Sequence, residues 1–115
     1  MAMITYTATL SDGTIIKRKS DNTYTHAWAV VEIATGVVRR KGFSCRADLA
    51  RQAAAPHHRP AYYSRQRLRH PACKRDYARF AKEEGFANTA EWIASLDERS
   101  DRYAAAHRLE VVPVN

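Results

Sequence analysis

The chain has 115 residues, a hydrophobic fraction of 45% and an aromatic fraction of 10%, which fit one globular domain and argue against global disorder. Its net charge of +7 favours nucleic acids or acidic protein surfaces as partners. The longest apolar run, residues 27–31, is far shorter than the roughly 20 residues of a membrane-spanning helix, and no export signal is visible. The length predicts a single domain over residues 1–115. Two cysteines build no disulfide framework, so together with the missing export signal they lead us to expect a reducing cytoplasm.

The N-terminal residues alternate with the period of β-strands. From residue 4 to residue 10 every second side chain is expected to face inward: Ile4, Tyr6, Ala8 and Leu10. Gly13 supplies the positive φ of a hairpin loop, so residues 14–20 are predicted to return antiparallel. In this second strand Ile16 is expected to point inward, and Lys17 and Lys19 outward.

Residues 23–33 are predicted to form the central strand, because both faces are apolar. One face carries Tyr24, His26, Trp28 and Val30, and the other carries Ala27, Ala29, Val31 and Ile33. A turn at Gly36 leads into a fourth strand over residues 37–43. Four consecutive strands predict an antiparallel meander.

Helical periodicity begins after Phe43. Ser44 is predicted to cap a helix that Pro56 stops, with an apolar stripe of Ala47, Leu49, Ala50, Ala53 and Ala54. Residues 60–70 are predicted to form a short helix between Pro60 and Pro71.

Two longer helices and a last strand complete the pattern. Residues 71–84 place Cys73, Tyr77, Phe80 and Ala81 on one side and Arg75, Arg79 and Lys82 on the other, and Gly85 ends this helix. Asn88 and Glu91 resemble a capping box at the start of the longest helix, whose inner face carries Trp92, Leu96, Tyr103 and His107. Residues 109–114 read as a strand in which Pro113 marks a sheet edge or a strand end.

The predicted fold class is therefore α+β. An antiparallel four-stranded meander is joined by a C-terminal strand, and three or four helices pack on one face.

Positive charge is concentrated in residues 39–79, which contain twelve Lys or Arg and only two acids. Such residues can neutralise phosphates, and Tyr62, Tyr63 and Tyr77 could stack on unpaired bases. A solvated positive face explains the same charge, because no helix-turn-helix, zinc-finger or RNA-binding signature accompanies it. The candidate nucleic-acid-binding residues are Arg39, Arg40, Lys41, Arg65, Arg67, Arg69, Arg75 and Arg79.

Other constellations are weaker candidates for chemistry. Cys45, His57 or His58, His70 and Cys73 are zinc-ligand types, but their spacing lacks paired ligand knuckles. His26 is better explained as a core histidine than as a proton shuttle, because no acid or nucleophile is spaced to lie beside it. Asp97 and Asp101 share a helix face and could hold a metal, but Arg99 and Arg102 are equally near, which favours an exposed charged face. We therefore expect no enzyme activity, no cofactor and no metal.

Four short segments carry a resemblance: residues 7–14, 24–27, 42–50 and 110–114. Together they resemble small uncharacterised accessory proteins of actinobacterial bacteriophages of the mycobacteriophage type. The resemblance implies a phage accessory product that acts in the cytoplasm of a bacterial host, and it transfers no catalytic residues.

We expect a non-enzymatic protein that binds DNA or RNA through its Arg-rich surface. The alternative is a host-directed inhibitor that binds an acidic host protein with the same residues, or a partner groove with the helix of Trp92. Residues Trp92, Ile93 and Leu96 are expected to be core, whereas exposure of Phe86 and Ile93 would indicate a docking patch. A homodimer through an open sheet edge or the Ala-rich helix is a further candidate.

Overall fold

The computed structural model describes residues 2–60 and 71–115, and its contacts divide the chain into two compact units. The strand unit comprises Met1–Arg59 and Tyr103–Asn115, and the helical unit comprises Pro60–Arg102. The single domain over residues 1–115 stays a prediction. Apart from Pro60, the short helix predicted for residues 60–70 lies outside the described residues, as do Tyr62 and Tyr63.

The strand unit contains two antiparallel sheets. Strands β1 (Ile4–Thr9) and β2 (Ile15–Ser20) form a hairpin in which Ile4 pairs with Ser20. Strands β3 (His26–Glu32), β4 (Val38–Ser44) and β5 (His107–Pro113) form a second sheet in the order β4-β3-β5. The α+β class, the central position of β3 and the placement of Pro113 at a strand end are confirmed.

The four N-terminal strands are divided between these two sheets, although the sequence predicts one meander. The division falls between β2 and β3, where the Ser20 hydroxyl accepts the Asn22 N–H and the Tyr6 hydroxyl donates to the Asn22 carbonyl. Both edges of β3 are occupied by β4 and β5, so β2 has no edge of β3 to pair with.

A first hydrophobic cluster fills the space between the two sheets. Ala8, Leu10 and Ile16 of the hairpin contact Ala27, Ala29, Val31 and Phe43 of the second sheet. Short contacts also join β1 to the β5 side: the Asn115 N–H donates to the Thr7 carbonyl at 2.9 Å, and the Ser11 N–H donates to Glu110 Oε1 at 2.8 Å. β1 therefore lies beside β5 at this cluster without pairing with it as a strand, and β2 and β4 each keep one edge without a strand partner among the described strands.

Helix α1 (Ala47–His58) covers the opposite face of the second sheet. Ala50 and Ala54 of its predicted stripe are buried against Trp28 and Val30, whereas Ala53 is exposed. The His57 ring stacks on the Trp28 ring with their centroids 5.4 Å apart. Alternate residues of β3 thus enter separate clusters, which confirms that both faces of this strand are buried.

Both predicted ends of α1 are wrong. Ser44 does not cap the helix, because it still belongs to β4, and the N-cap position falls on Arg46 with no side-chain hydrogen bond. Pro56 does not stop the helix, which continues to His58. Pro56 removes a single N–H donor, the one that would serve the Gln52 carbonyl, and the following turn still closes because the Arg59 N–H donates to the Ala55 carbonyl.

The helical unit contains α2 (Pro71–Glu83) and most of α3 (Thr89–Ala106). Its core consists of Tyr77, Ala81, Trp92 and Leu96, with Cys73, Phe86 and Ile93 packed against them. Gly85 ends α2 at a φ of 85°, and Asn88 Oδ1 accepts the Glu91 N–H at 2.9 Å, so both predicted signals are confirmed. Because Phe86 and Ile93 are half-buried in this cluster, the core interpretation of that face holds.

Three side chains that are predicted to face inward are exposed, and two others lie on another face or in another element. Ile4 and Ile33 are 54% and 56% exposed, because Ile33 follows the end of β3 and Ile4 lies beyond the first hydrophobic cluster. Tyr24 precedes β3 and packs against Phe43, on the face opposite to Trp28. Phe80 is 37% exposed, at the margin of the helical core. His107 is buried as predicted, but it begins β5, since α3 ends at Ala106.

Candidate nucleic-acid interface

The positive charge is distributed unequally between the two units. The strand unit has ten Lys or Arg against five acids, and the helical unit has nine against seven. The acids of the C-terminal third fall mainly in the helical unit, where they offset the arginines of residues 60–79. The larger positive excess therefore belongs to the strand unit.

Two carboxylates of the strand unit are bound by one arginine. The Arg108 guanidinium lies 2.8 Å from Glu110 and 3.3 Å from Asp12. Hydrogen bonds from Thr14 and Arg108 lower the pKa of Asp12. Burial would raise the pKa of Glu110, but the Ser11 N–H and Arg108 outweigh it and lower this pKa. Both groups therefore stay ionised and neutralise Arg108.

A third carboxylate holds one of the predicted site residues. Glu32 Oε2 accepts hydrogen bonds from Arg39 Nη2 at 2.7 Å and from Arg39 Nε at 3.2 Å. The Thr35 hydroxyl donates to the other oxygen of Glu32, and His107 Nε2 lies 4.0 Å from Oε2. The hydrogen bonds from Arg39 and Thr35 lower the pKa of Glu32. Arg39 is therefore already paired with a carboxylate of its own hairpin.

The next two predicted site residues, Arg40 and Lys41, have no such partner. Both side chains are exposed, and neither makes an ion pair within residues 2–60 and 71–115. Lys41 pairs with Ala29 and Arg40 with Val30, so the two side chains leave opposite faces of β4. Arg39 is the extra residue of a bulge, because the register shifts between Val30 and Val31.

A second basic triplet, Lys17 to Lys19, lies on β2. Lys17 and Lys19 are exposed as predicted, and neither makes an ion pair within the described part of the chain. The Arg18 guanidinium carbon lies 5.5 Å from the centre of the Tyr24 ring. A charge count over residues 1–38 does not reveal this triplet, because Asp12, Asp21 and Glu32 cancel its three positive charges in the sum. Such a count takes no account of where the acids lie in the fold.

The two outer strand edges border one groove. β2 pairs with β1 alone and β4 with β3 alone among the described strands, so each has an unpaired edge. The groove has a volume of about 450 Å³ and is lined by Thr14, Ile15, Ile16, Val38, Arg39, Arg40 and Lys41. No acidic side chain lines it. We name this feature the edge groove.

The predicted site residues of the helical unit have a different environment. On α2, Arg79 lies 3.5 Å from Asp76 and 3.8 Å from Glu83, and its guanidinium covers the Phe80 ring at 5.3 Å. Arg75 is exposed and makes no ion pair among the described residues. The structure thus brings Arg39, Arg40 and Lys41 together and describes Arg75 and Arg79 on a separate helix. Arg65, Arg67 and Arg69 lie outside the described residues.

The candidate zinc ligands that the structure describes are not brought together, and the two histidines among them make other contacts. His57 stacks on Trp28, and His58 Nε2 donates to the carbonyls of Ala104 and His107 at 3.1 and 3.0 Å. Cys45 is an exposed free thiol of the strand unit and Cys73 a half-buried one of the helical unit, while His70 lies outside the described residues. Within residues 2–60 and 71–115, no three His, Cys, Asp or Glu side chains are grouped to hold a metal.

His26 does not have the buried core position that the sequence favours. Its side chain is half-buried, and its Nδ1 lies 2.8 Å from the Thr25 hydroxyl, which in turn donates to the Cys45 carbonyl.

No helix among the described residues is long and apolar enough to cross a bilayer. Comparisons with protein-family models, curated proteins and solved structures gave no match.

Proposed function

We propose that this protein is a non-enzymatic nucleic-acid-binding protein that contacts phosphates through the edge groove and the basic triplets of β2 and β4. The observation that carries the proposal is the position of the cations that lack carboxylate partners. Four acids of the strand unit bind Arg39, Arg46 and Arg108, which leaves Lys17, Lys19, Arg40 and Lys41 unpaired within the described residues. These four cations lie on the two strands that border one groove.

The proposal also includes the cell compartment in which the protein acts. The resemblance to phage accessory proteins supports a role in the cytoplasm of an infected bacterium, where a net positive protein meets DNA and RNA at high concentration. Arg75 and Arg79 on α2 remain candidate contacts. Contacts of Lys and Arg with phosphates fix position and carry no sequence information, so we expect little base specificity.

Binding of an acidic host protein would use the same cations. An extended peptide would add as a strand to an unpaired edge, but a β-bulge and exposed Lys or Arg side chains are the devices that block such addition. The edge of β4 has the bulge at Arg39, and both edges carry basic triplets. These features favour nucleic acid over a peptide strand.

A mobility-shift series on the full chain tests the proposal, with a labelled single strand and a labelled duplex at several salt concentrations. If three or four phosphates are neutralised, the affinity for a single strand falls roughly 20- to 50-fold between 50 and 200 mM salt. No shift of either nucleic acid at micromolar protein and low salt would overturn it. Recovery of an acidic host protein from a nuclease-treated lysate, together with that negative result, would favour the alternative.

A further inference from the structure

We infer that the edge groove takes the sugar–phosphate backbone of one unpaired strand, and that the protein prefers single-stranded nucleic acid to a duplex. This inference rests on the proposed function and names its ligand class. It follows from the shape of the groove, from the donors on its walls and from the side chains that line it.

The shape of the edge groove favours single-stranded nucleic acid over a duplex. Arg40 and Lys41 belong to a concave feature of about 450 Å³ that lies between two strand edges. Proteins that read a duplex insert a protruding helix or ribbon into a major groove about 12 Å wide. A concave basic groove instead tracks the backbone of one flexible strand, which can bend into it.

The walls offer main-chain donors beside the charged side chains. The outer edges of β2 and β4 have no strand partner among the described residues, so alternate N–H groups on each edge lack a ladder hydrogen bond. Backbone N–H groups are common phosphate ligands. Phosphates along one strand can therefore meet a main-chain donor on one wall and the Arg40 or Lys41 cation on the other.

The residues that line the edge groove also predict that the bases of the nucleic acid contribute little to the binding affinity. None of the seven lining residues is aromatic, and the exposed apolar side chain among them is Ile15, at 55% exposure. Base stacking on aromatic side chains supplies most of the base-dependent affinity of single-strand-binding proteins. Without it, binding through this groove depends on phosphates, varies little with base identity and weakens steeply with salt.

Fluorescence anisotropy at 50 mM salt tests the inference with the full chain. The probes are labelled dT12, labelled dC12 and a labelled 12-base-pair duplex of mixed sequence. We expect dT12 to bind at least about fivefold tighter than the duplex, and dT12 and dC12 to agree within about threefold. Arg40→Gln with Lys41→Gln is expected to lower the affinity for dT12 about tenfold, because two charge-assisted contacts are lost.

The matched control is Arg51→Gln with Lys74→Gln, which removes the same charge from two exposed positions outside the groove that make no ion pair among the described residues. It should change the affinity for dT12 less than about threefold. Circular dichroism checks that both variants fold, and the exchange Arg40→Lys with Lys41→Arg should keep the affinity of the original chain.

Three results would overturn the inference: the first leaves the proposed function intact, whereas the second and third also remove the edge groove from it. Equal or tighter binding of the duplex would overturn the single-strand preference and leave nucleic-acid binding intact. Equal losses in the groove variant and its control would remove the groove as the site. Displacement of dT12 by a poly-glutamate peptide at a lower concentration than unlabelled dT12 would assign the groove to an acidic peptide. Binding of none of the probes would overturn the proposed function itself.

Discussion

The strand edges and helix α2 both carry positive charge, but their surroundings differ. On α2, Arg79 lies between Asp76 and Glu83 one turn away on either side, so its charge is offset locally. On β4, Glu32 binds Arg39 and leaves its neighbours Arg40 and Lys41 without a carboxylate. A helix brings residues three and four apart together, whereas a strand sends successive side chains to opposite faces. Equal charge density along the sequence therefore gives unequal available charge on the surface.

The largest expected effect separates these two regions directly. Arg40→Glu with Lys41→Glu should lower the affinity for dT12 by about 30-fold, which corresponds to about 2 kcal/mol for two charged contacts. Arg75→Glu with Arg79→Glu makes the same change of charge on α2 and should cost less than about fivefold, because Arg79 is already paired. Anisotropy titrations at one salt concentration measure both. Similar losses for the two variants would show that total charge, and not its location, controls binding.

A substitution in the packing behind β4 should change the free energy of unfolding of the strand unit by about as much as the binding free energy lost in the first prediction. A Cβ at position 42 would lie 2.6 Å from Trp28 Cε2, and the same indole is stacked against the His57 ring. Gly42→Ala should therefore lower the free energy of unfolding by about 1–3 kcal/mol through overpacking. Thermal melts followed by circular dichroism measure the change.

Gly85→Ala in the helical unit is the matched comparison, because a Cβ there meets no atom within 4 Å and only the positive φ opposes it. It should cost about 1 kcal/mol. If Gly42→Ala were the milder of the two, the indole would have room to move, and the packing argument for β4 would fail.

Acid should weaken the strand unit through its paired carboxylates. The folded state lowers the pKa of Asp12, Glu32 and Glu110, so their stabilising contribution is complete above the unfolded pKa values near 4 and is lost as the pH falls through the folded values. Trp28 reports on the strand unit and Trp92 on the helical unit, so Trp92→Phe leaves a single reporter for the strands. Its unfolding midpoint in urea should be constant from pH 7 to 5 and should fall between pH 4 and 2. A midpoint that rises on acidification would contradict these interactions.

The smallest expected effect is a gain of affinity. Glu32→Gln removes the carboxylate that binds Arg39, so a third cation becomes available at the edge groove. The affinity for dT12 should rise about two- to fourfold at low salt. Asp48→Asn is the control, because it releases Arg46 outside the groove with the same change of net charge. If both variants gained equally, the benefit would come from net charge alone.

The sequence predicts those parts of the fold that depend on local chemistry. The uninterrupted apolar run of residues 27–31 identifies a strand buried on both faces, and Gly85 and Asn88 place a helix end and a helix start. Pairing between distant strands has no such local signal. The division into two sheets depends on β5 occupying an edge of β3, and Ser44 has good cap chemistry but stays in β4 because its backbone pairs with His26.

The candidate site shows the same limit. The triplet Arg39 to Lys41 is visible in the sequence, but its pairing with Glu32 depends on the hairpin that brings residues 32 and 39 together. The triplet of β2 is overlooked because the charge of residues 1–38 sums to zero, although Asp12 and Glu32 bind Arg108 and Arg39. A sequence count weighs each charge equally, whereas the fold determines which charges are neutralised.

The order in which the chain enters the strand unit constrains how it can fold. The central strand β3 gains one neighbour, β4, through a short hairpin, but its other neighbour is β5, and the whole helical unit lies between them along the chain. Closing such a long loop costs conformational entropy before any pairing rewards it, which slows folding. During synthesis, the β3 edge stays bare until the helical unit has left the ribosome, so the nascent chain passes through a state that can pair with the wrong strand.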